Sequence, residues 1–336
     1  MKKLNLDLNE HTGVISYNII KNISKKLDSI MEYVREADLA KLRNILAKNI
    51  GVKEENILFT NGVYHGLHIV FDIFSSRDEI IIPVPTFPFY DKYEKFNKFK
   101  IKKIPIGSLD FLDVQKIIDS CSKKTKAIYL CNPNNPTGTI IMQKDLNKLI
   151  KFCSKKRIFM VVDEVFTDFS KISVIKNVRN FKNIIVLRTF SKALGMAGIK
   201  LGFIISDKSI IKKLRIIRGP PYALSKLALV IGEIILKDKK NLDGYLEDLD
   251  NSRKLITGFL KSRTVKYKAP PTNFILIKIN NPDKLEAQLA LKNIFIKSLN
   301  NYPDDKQGIV KDYVRVTLPS NLESTKMLID IAKHLL

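Results

Sequence analysis

The stretch NIIVLRTFSKALGMAGIKLGF, residues 183–203, carries the pattern from which we predict the fold. Residues 184–187 are β-branched or leucine, which is typical of a buried strand in a parallel sheet. Small and hydroxyl residues follow at once, and Lys192 lies among them. In a cleft beyond such a strand, burial and nearby cations lower the pKa of a lysine amine and make it nucleophilic. The chain has 58 lysines and arginines, most of which we expect to be solvated. The residues around Lys192 are what distinguish it from the others.

Two other segments repeat this arrangement of a short apolar run that ends in polar residues. Because the carboxyl ends of parallel strands meet at one edge of a sheet, we expect the three polar clusters to share one crevice. Helical patterns between the runs predict an α/β fold with a mostly parallel central sheet wrapped by helices. The runs and the polar residues after them are 127–131 with 132–138, 158–162 with 163–164, and 184–187 with 189–192.

The rest of the chain is predicted to form an N-terminal arm and a second, smaller domain. Residues 1–34 form the arm, residues 35–235 the large domain, and residues 236–336 a smaller α+β domain. Within the smaller domain, Arg315 lies in an apolar strand pattern, which is unusual for an unpaired guanidinium. We expect Arg315 to bind a substrate carboxylate through two parallel hydrogen bonds, and a buried structural ion pair is the alternative.

The composition predicts a soluble globular protein, with 45% hydrophobic and 27% charged residues. Its net charge of +24 comes from lysines scattered through every segment, so nucleic-acid binding is not expected, although anionic substrates would be attracted. The three cysteines lack metal-ligand spacing, which favours a reducing cytoplasm and predicts no metal site. There is no signal-peptide core and no run of about 18 apolar residues that could span a membrane.

Asp163 follows four apolar residues, and a carboxylate there is costly to bury without a cationic partner. The protonated pyridine nitrogen of pyridoxal phosphate would be such a partner, and it would make the ring an electron sink beside Lys192. Asn135 can donate to the phenolic oxygen of the same ring. The structural alternatives are Asp163 as a helix cap or a partner of Arg157, and Asn135 as a turn residue.

Three further groups suit a flat, phosphorylated cofactor. A predicted strand, a short loop and a helix meet at Gly62 and Val63, where exposed backbone N–H groups can bind phosphate, although such turns are common. Phe87, in a loop stiffened by prolines, can stack on the ring or simply cover the edge of the sheet. The side chains that can hold the phosphate from the lysine loop itself are Thr189, Ser191 and Lys200.

Three motifs occur in order and at fitting separations: NNPTG at 134–138, DEVF at 163–166, and SKA at 191–193 with AGIKLG at 197–202. Through them the chain resembles the pyridoxal-phosphate-dependent aminotransferases of fold type I. Within that group it is similar to the branch that contains histidinol-phosphate aminotransferase and threonine-phosphate decarboxylase. The resemblance extends from about Leu8 to the carboxyl terminus.

The resemblance implies a role for each matching residue. Lys192 would form the Schiff base and move the proton, and Arg315 would bind the substrate carboxylate. Tyr33 would reach the cofactor phosphate of a neighbouring subunit, which implies a homodimer. Asn9, in a stretch like that of histidinol-phosphate aminotransferases, would contact the substrate. The remaining cofactor contacts would be Asp163 to the pyridine nitrogen, Asn135 to the ring oxygen, Phe87 on the ring face, and Gly62, Val63, Thr189, Ser191 and Lys200 around the phosphate.

Three residues depart from the family pattern. Phe166 replaces the tyrosine whose hydroxyl contacts the ring oxygen in most aminotransferases, and it resembles the decarboxylase branch. Lys200 replaces the usual phosphate-binding arginine, which keeps the charge but loses the fork of parallel donors. Lys297 replaces an arginine that handles the substrate phosphate in this branch, so the resemblance leaves a phosphorylated substrate open.

Three functions are therefore compared. The first is transfer of an amino group from an amino acid or amino phosphate to a 2-oxo acid. The second is decarboxylation of an amino-acid phosphate such as threonine phosphate, favoured by Phe166 and by residues 296–303. The third is a non-catalytic cofactor-binding regulator that contacts nucleic acid through its positive charge.

Overall fold

The computed structural model describes residues 3–335. Its large sheet contains seven strands in the order β2-β8-β7-β6-β5-β3-β4, and β8 runs antiparallel to both of its neighbours while the other pairings are parallel. The predicted mostly parallel α/β sheet is thereby confirmed. Its strands are Ile57–Thr60 (β2), Glu79–Val84 (β3), Lys100–Pro105 (β4), Thr125–Cys131 (β5), Phe159–Asp163 (β6), Ile184–Thr189 (β7) and Gly202–Ser206 (β8).

Successive side chains along a strand point to opposite faces of the sheet, and here both sets are apolar. Helices therefore cover both faces. One face packs against residues of α2, α6 and α9, and the other face packs against residues of α3 and α8. The helices from the amino terminus through α9 are Tyr17–Ser24 (α1), Glu36–Ile50 (α2), Gly62–Phe71 (α3), Asp91–Lys95 (α4), Val114–Asp119 (α5), Gln143–Lys156 (α6), Thr167–Ser170 (α7), Lys208–Arg218 (α8) and Lys226–Lys237 (α9).

A second, antiparallel sheet has the strand order β12-β13-β10-β9, and a separate parallel pair joins β1 to β11. Through that pair the first described residues of the chain lie beside its carboxyl-terminal third. The predicted boundaries at 34/35 and 235/236 stay predictions. The elements are Leu4–Asn5 (β1), Lys239–Ser262 (α10), Tyr267–Lys268 (β9), Phe274–Lys278 (β10), Pro282–Ala290 (α11), Ile294–Phe295 (β11), Lys297–Ser298 (β12), Tyr313–Thr317 (β13) and Leu322–Ala332 (α12).

Several elements escape the sequence patterns. Strand β4, with the sequence KIKKIP, contains three lysines among its six residues and is one of the two edge strands of the large sheet. Helix α11 and the two-residue strands are too short for a periodic signal. Between residues 3 and 335, no helix is long and apolar enough to cross a membrane.

Candidate active site

Lys192 lies in the loop that follows β7, as predicted. Its Nζ atom donates a 2.8 Å hydrogen bond to the carbonyl oxygen of Leu8, so the N-terminal arm lies directly over the lysine. Burial, and secondarily the positive charge of Arg315, lower the pKa of the Lys192 amine to about 8. An amine with that pKa is available as a nucleophile near neutral pH, whereas an ordinary lysine is not.

Asp163 is the last residue of β6, and only 3% of its surface is exposed. Its Oδ1 atom accepts from the backbone N–H of Val165 at 3.1 Å, and its Oδ2 atom accepts from the hydroxyl of Tyr129 at 3.2 Å. Both donors are neutral, so the alternative in which Asp163 pairs with Arg157 is not what the structure shows. Burial raises the pKa of the Asp163 carboxyl to about 7, which means that the site favours a cation beside it.

A cradle of backbone and hydroxyl groups lies at the amino end of α3. Gly62, the first residue of this helix, has a φ of 74°, and the exposed N–H groups of the first turn are oriented for an anion. Gly202 in β8 packs so closely that a Cβ atom there would lie 2.7 Å from the Gly62 carbonyl carbon. On the lysine loop, the Thr189 hydroxyl donates to the Ser191 hydroxyl at 2.9 Å.

Arg315, in β13 of the second sheet, reaches across to the large sheet. Its Nη1 atom donates to the Asn135 amide oxygen at 2.5 Å, and its Nη2 atom donates to the carbonyl of Asp7. These acceptors are uncharged and Nε is buried without a partner, so the structure does not show the alternative of a buried structural ion pair. The amide oxygen of Asn135 is therefore engaged by Arg315.

These groups face a single cavity of about 460 Å³. Tyr33 does not line it: this side chain is 81% exposed and lies 6.0 Å, centroid to centroid, from the ring of Tyr222. Phe166 lines the cavity and packs edge-on against Phe274. The predicted site residues that line the cavity together are Asn9, Gly62, Val63, Phe87, Asn135, Asp163, Thr189, Ser191, Lys192, Lys200, Lys297 and Arg315.

The sequence profile of the family aminotransferase class I and II matches residues 1–329. The chain belongs to this family. It is a pyridoxal-phosphate-dependent aminotransferase of fold type I, as the three motifs predicted, and the hypothesis of a non-catalytic regulator is dropped.

Related proteins support the predicted branch of this family. The aminotransferase is 29% identical, over 98% of its length and 91% of the relative, to a histidinol-phosphate aminotransferase of Ruminiclostridium cellulolyticum. A protein of the same name from Clostridium kluyveri is 29% identical, over 99% of this chain and 93% of the relative.

Solved structures show the same fold. The histidinol-phosphate aminotransferase of Clostridium acetobutylicum has a TM-score of 0.88 at 20% identity, with 99% of this chain and 98% of that chain covered. The L-threonine-O-3-phosphate decarboxylase of Porphyromonas gingivalis has a TM-score of 0.82 at 21% identity, with 99% of each chain covered. At these identities the likeness establishes the fold and leaves the substrate to other observations.

The aminotransferase cavity fits pyridoxal phosphate in its donor set. A buried carboxylate with only neutral partners suits a pyridinium nitrogen, and the cradle at the amino end of α3 suits a phosphate. Lys200, held at a φ of 52°, adds a cation beside the same cradle.

Sequence reasoning missed several lining residues of this aminotransferase. Tyr302 comes from the long segment between β12 and β13, Cys131 ends β5, and Glu10 lies on the arm. Each lay close to a predicted feature: Cys131 ends the apolar run 127–131, Tyr302 lies within residues 296–303, and Glu10 follows Asn9. None was itself assigned a role.

Proposed function

We propose that this aminotransferase transfers the amino group of an amino acid, or of an amino-acid or amino-alcohol phosphate, to a 2-oxo acid, in the manner of histidinol-phosphate aminotransferase. The observation that carries the proposal is the convergence of Lys192, Asp163 and Arg315 on one cavity, from two different sheets. A nucleophilic amine, a buried carboxylate and a carboxylate-binding guanidinium are the three groups that the reaction requires.

The cofactor would be held by the residues that were predicted for it. Asp163 would bind the pyridine nitrogen, Asn135 the ring oxygen, and Phe87 the ring face. When bound, pyridoxal phosphate supplies a conjugated ring that stabilises negative charge at the substrate α-carbon. The groups around the phosphate would be Gly62, Val63, Thr189, Ser191 and Lys200, all on the wall of the cavity.

Lys192 would act as the proton carrier of the reaction. Its amine, with a pKa of about 8, can accept the proton from the substrate α-carbon and later deliver it to the carbon on the other side of the substrate nitrogen. For this step the amine must leave the Leu8 carbonyl, to which it donates at 2.8 Å. Arg315 would orient the substrate by binding its carboxylate, or the equivalent anionic group of an amino-alcohol phosphate, in place of the Asp7 carbonyl and Asn135.

A phosphorylated substrate is supported by the charge of the cavity rim. Lys297 lies on the cavity wall, about half exposed, and its only ion-pair partner within residues 3–335 is Glu286, at 3.9 Å. A cation that is weakly paired in this way is available to an anionic group that enters from solvent. The relatives in sequence are named for a phosphorylated substrate, histidinol phosphate.

Decarboxylation of an amino-acid phosphate is the second candidate, and Phe166 favours it. This ring is buried beside Phe274 and brings no hydroxyl to the cavity. The ring oxygen of the cofactor would then lack the tyrosine hydroxyl that most aminotransferases supply, and Asn135 would be its proposed donor. Which bond of the substrate breaks depends on which bond stands perpendicular to the cofactor ring.

We also propose that the enzyme acts as a homodimer in the cytoplasm. The arm carries large apolar side chains that are mostly exposed in the single chain, among them Val14, Tyr17, Met31 and Tyr33. Exposed apolar groups of this kind mark an interaction surface. Tyr33 would extend from there to the partner's cofactor phosphate. The three cysteines are unpaired, as in a reducing compartment.

The deciding experiment follows both the nitrogen and the carboxyl carbon. The cofactor-loaded enzyme is incubated with 2-oxoglutarate and, in separate reactions, amino-labelled histidinol phosphate, carboxyl-labelled threonine phosphate or amino-labelled unphosphorylated amino acids, with Lys192→Ala as the inactive control. Labelled glutamate from histidinol phosphate supports the proposal. Labelled carbon dioxide from threonine phosphate would establish the decarboxylase instead. Turnover of unphosphorylated amino acids alone would refute the phosphorylated substrate class.

A further inference from the structure

Tyr129 is a fully buried tyrosine in β5 of the large sheet, and no motif singled it out. In the register of β5 and β6, Tyr129 pairs with Val161 and Cys131 pairs with Asp163. Because alternate residues face the same side of a sheet, Tyr129 and Asp163 lie on one face, two register positions apart. From this position the Tyr129 hydroxyl donates a 3.2 Å hydrogen bond to Asp163 Oδ2.

The Tyr129 ring lies in an apolar layer, and its hydroxyl meets the Asp163 carboxyl and the Cys131 thiol. The ring packs against Phe89 at 4.6 Å and Phe71 at 6.1 Å, in an apolar layer where phenylalanine would fill the same space. A buried hydroxyl is unfavourable unless it is hydrogen-bonded. The carboxylate of Asp163 is a strong acceptor, and a hydrogen bond to its charged form favours that form.

We propose that Tyr129 is a positioning residue, whose hydroxyl keeps the Asp163 carboxylate ionised and aimed at the cofactor ring before the cofactor arrives. The inference rests on the proposed role of Asp163. Without the hydroxyl, the Val165 N–H would be the one remaining donor to this carboxylate among its hydrogen bonds described above. The carboxylate would then be less often charged and free to rotate about its Cβ–Cγ bond.

The titratable and charged groups that face Asp163 come from several elements. Tyr129 and Cys131 lie on β5, and Glu164 is the residue directly after Asp163. Lys192 approaches from the loop after β7. Lys192 favours the ionised form and Glu164 opposes it. Since both remain in a Tyr129→Phe variant, a change in titration can be assigned to the lost hydroxyl.

The test uses the cofactor-free protein and the pH dependence of its urea unfolding midpoint. Burial raises the pKa of the Asp163 carboxyl to about 7 in the folded chain, against an ordinary value of 3.8. The unfolded chain therefore loses this proton first, so stability should fall as the pH rises between these values and level off above the higher one. Loss of a hydrogen bond to the charged form raises the pKa of Asp163 in the folded chain. The stability of Tyr129→Phe should therefore level off about one pH unit higher than that of the wild type.

Tyr93→Phe is the matched control. Tyr93 is buried in the same aromatic layer, but its hydroxyl contacts His68 and Asp72, not Asp163. Removal of the Tyr93 hydroxyl should leave unchanged the pH above which the urea midpoint stops falling. In an Asp163→Asn background, Tyr129→Phe should lose its pH-dependent effect altogether. Circular dichroism establishes that each variant is folded.

A second readout is the affinity for pyridoxal phosphate by equilibrium dialysis, which should weaken about tenfold near pH 7 in Tyr129→Phe and remain unchanged in Tyr93→Phe. If wild type and Tyr129→Phe level off at the same pH and bind the cofactor equally, Tyr129 is only a packing residue. The proposed function is tested separately by the turnover of Asp163→Asn: activity retained there would overturn the role of Asp163 itself.

Discussion

The Arg315 guanidinium and the Asn135 amide oxygen lie 2.5 Å apart, although 180 positions separate them in the chain. This hydrogen bond joins β13 of the second sheet to the loop after β5 of the large sheet. Both residues line the cavity, so this contact positions the group proposed to bind the substrate against the group proposed to bind the cofactor. Asn135 accepts from Arg315 through its amide oxygen, so its amide nitrogen could donate to the cofactor ring oxygen at the same time.

Replacing Arg315 by lysine should raise KM for a carboxylate-bearing amino donor by about a hundredfold, because a point charge cannot form two parallel hydrogen bonds. Steady-state kinetics measure the effect. Arg253→Lys is the control, since Arg253 is half-buried and donates to the carbonyls of Pro270 and Thr272. It should cost stability and leave KM unaltered. Equal KM values for both variants would contradict the role of Arg315.

Replacing Gly202 by alanine should weaken binding of pyridoxal phosphate by at least about tenfold. The added Cβ atom would lie 2.7 Å from the Gly62 carbonyl carbon and 2.9 Å from the Val63 nitrogen, so the amino end of α3 must shift. We expect a loss of about 1–3 kcal/mol in folding stability as well. Gly198→Ala is the control, because nothing lies within 4 Å of its added Cβ atom. Equal cofactor affinity in both variants would show that the cradle does not hold the phosphate.

The rate of covalent capture of pyridoxal phosphate should rise with pH and level off above pH 8. Only the neutral amine reacts, and the pKa of Lys192 is lowered to about 8 by burial and then by Arg315. Below that pH the rate should fall roughly tenfold per unit. Stopped-flow absorbance measures it. In Arg315→Met the levelling pH should move upward, and a rate that rises to pH 10 in the wild type would refute a lowered pKa.

Tyr33→Phe should weaken cofactor binding several-fold, because the resemblance assigns its hydroxyl to the phosphate of the partner subunit. Tyr17→Phe is the matched control on the same arm, where Tyr17 is 75% exposed and Tyr33 is 81% exposed. Sedimentation should find a dimer in all three proteins. A monomeric wild type that binds the cofactor tightly would eliminate this role of Tyr33.

The large sheet and the Lys192 site were predictable, because apolar runs ending in polar clusters report both the strands and their shared edge. The strand β8 was not predicted, since Gly202 opens it directly from the lysine loop without a turn signal. The edge strand β4 was hidden by its lysines. Burial alone therefore did not decide which strands were found: β8 is buried at all five positions and was missed, whereas the edge strand β2 was predicted.

At the site, the sequence mainly failed to predict contacts between distant parts of the chain. The carbonyl of Leu8 above Lys192 and the carbonyl of Asp7 beside Arg315 are backbone groups, which carry no residue-specific signal. Tyr129 was overlooked because an aromatic residue inside a strand is the expected composition of a core. Its partner becomes apparent only from the register of β5 and β6.

The most direct measurement is the mass of the protein after it is loaded with pyridoxal phosphate, reduced with borohydride and digested. The account predicts one modified peptide, with the added mass on Lys192, and no such peptide in Lys192→Ala. The Lys200→Ala variant should still be modified at Lys192, with weaker retention of the cofactor. A stable adduct on any other lysine, or an unchanged adduct in Lys192→Ala, would contradict the assignment of this site.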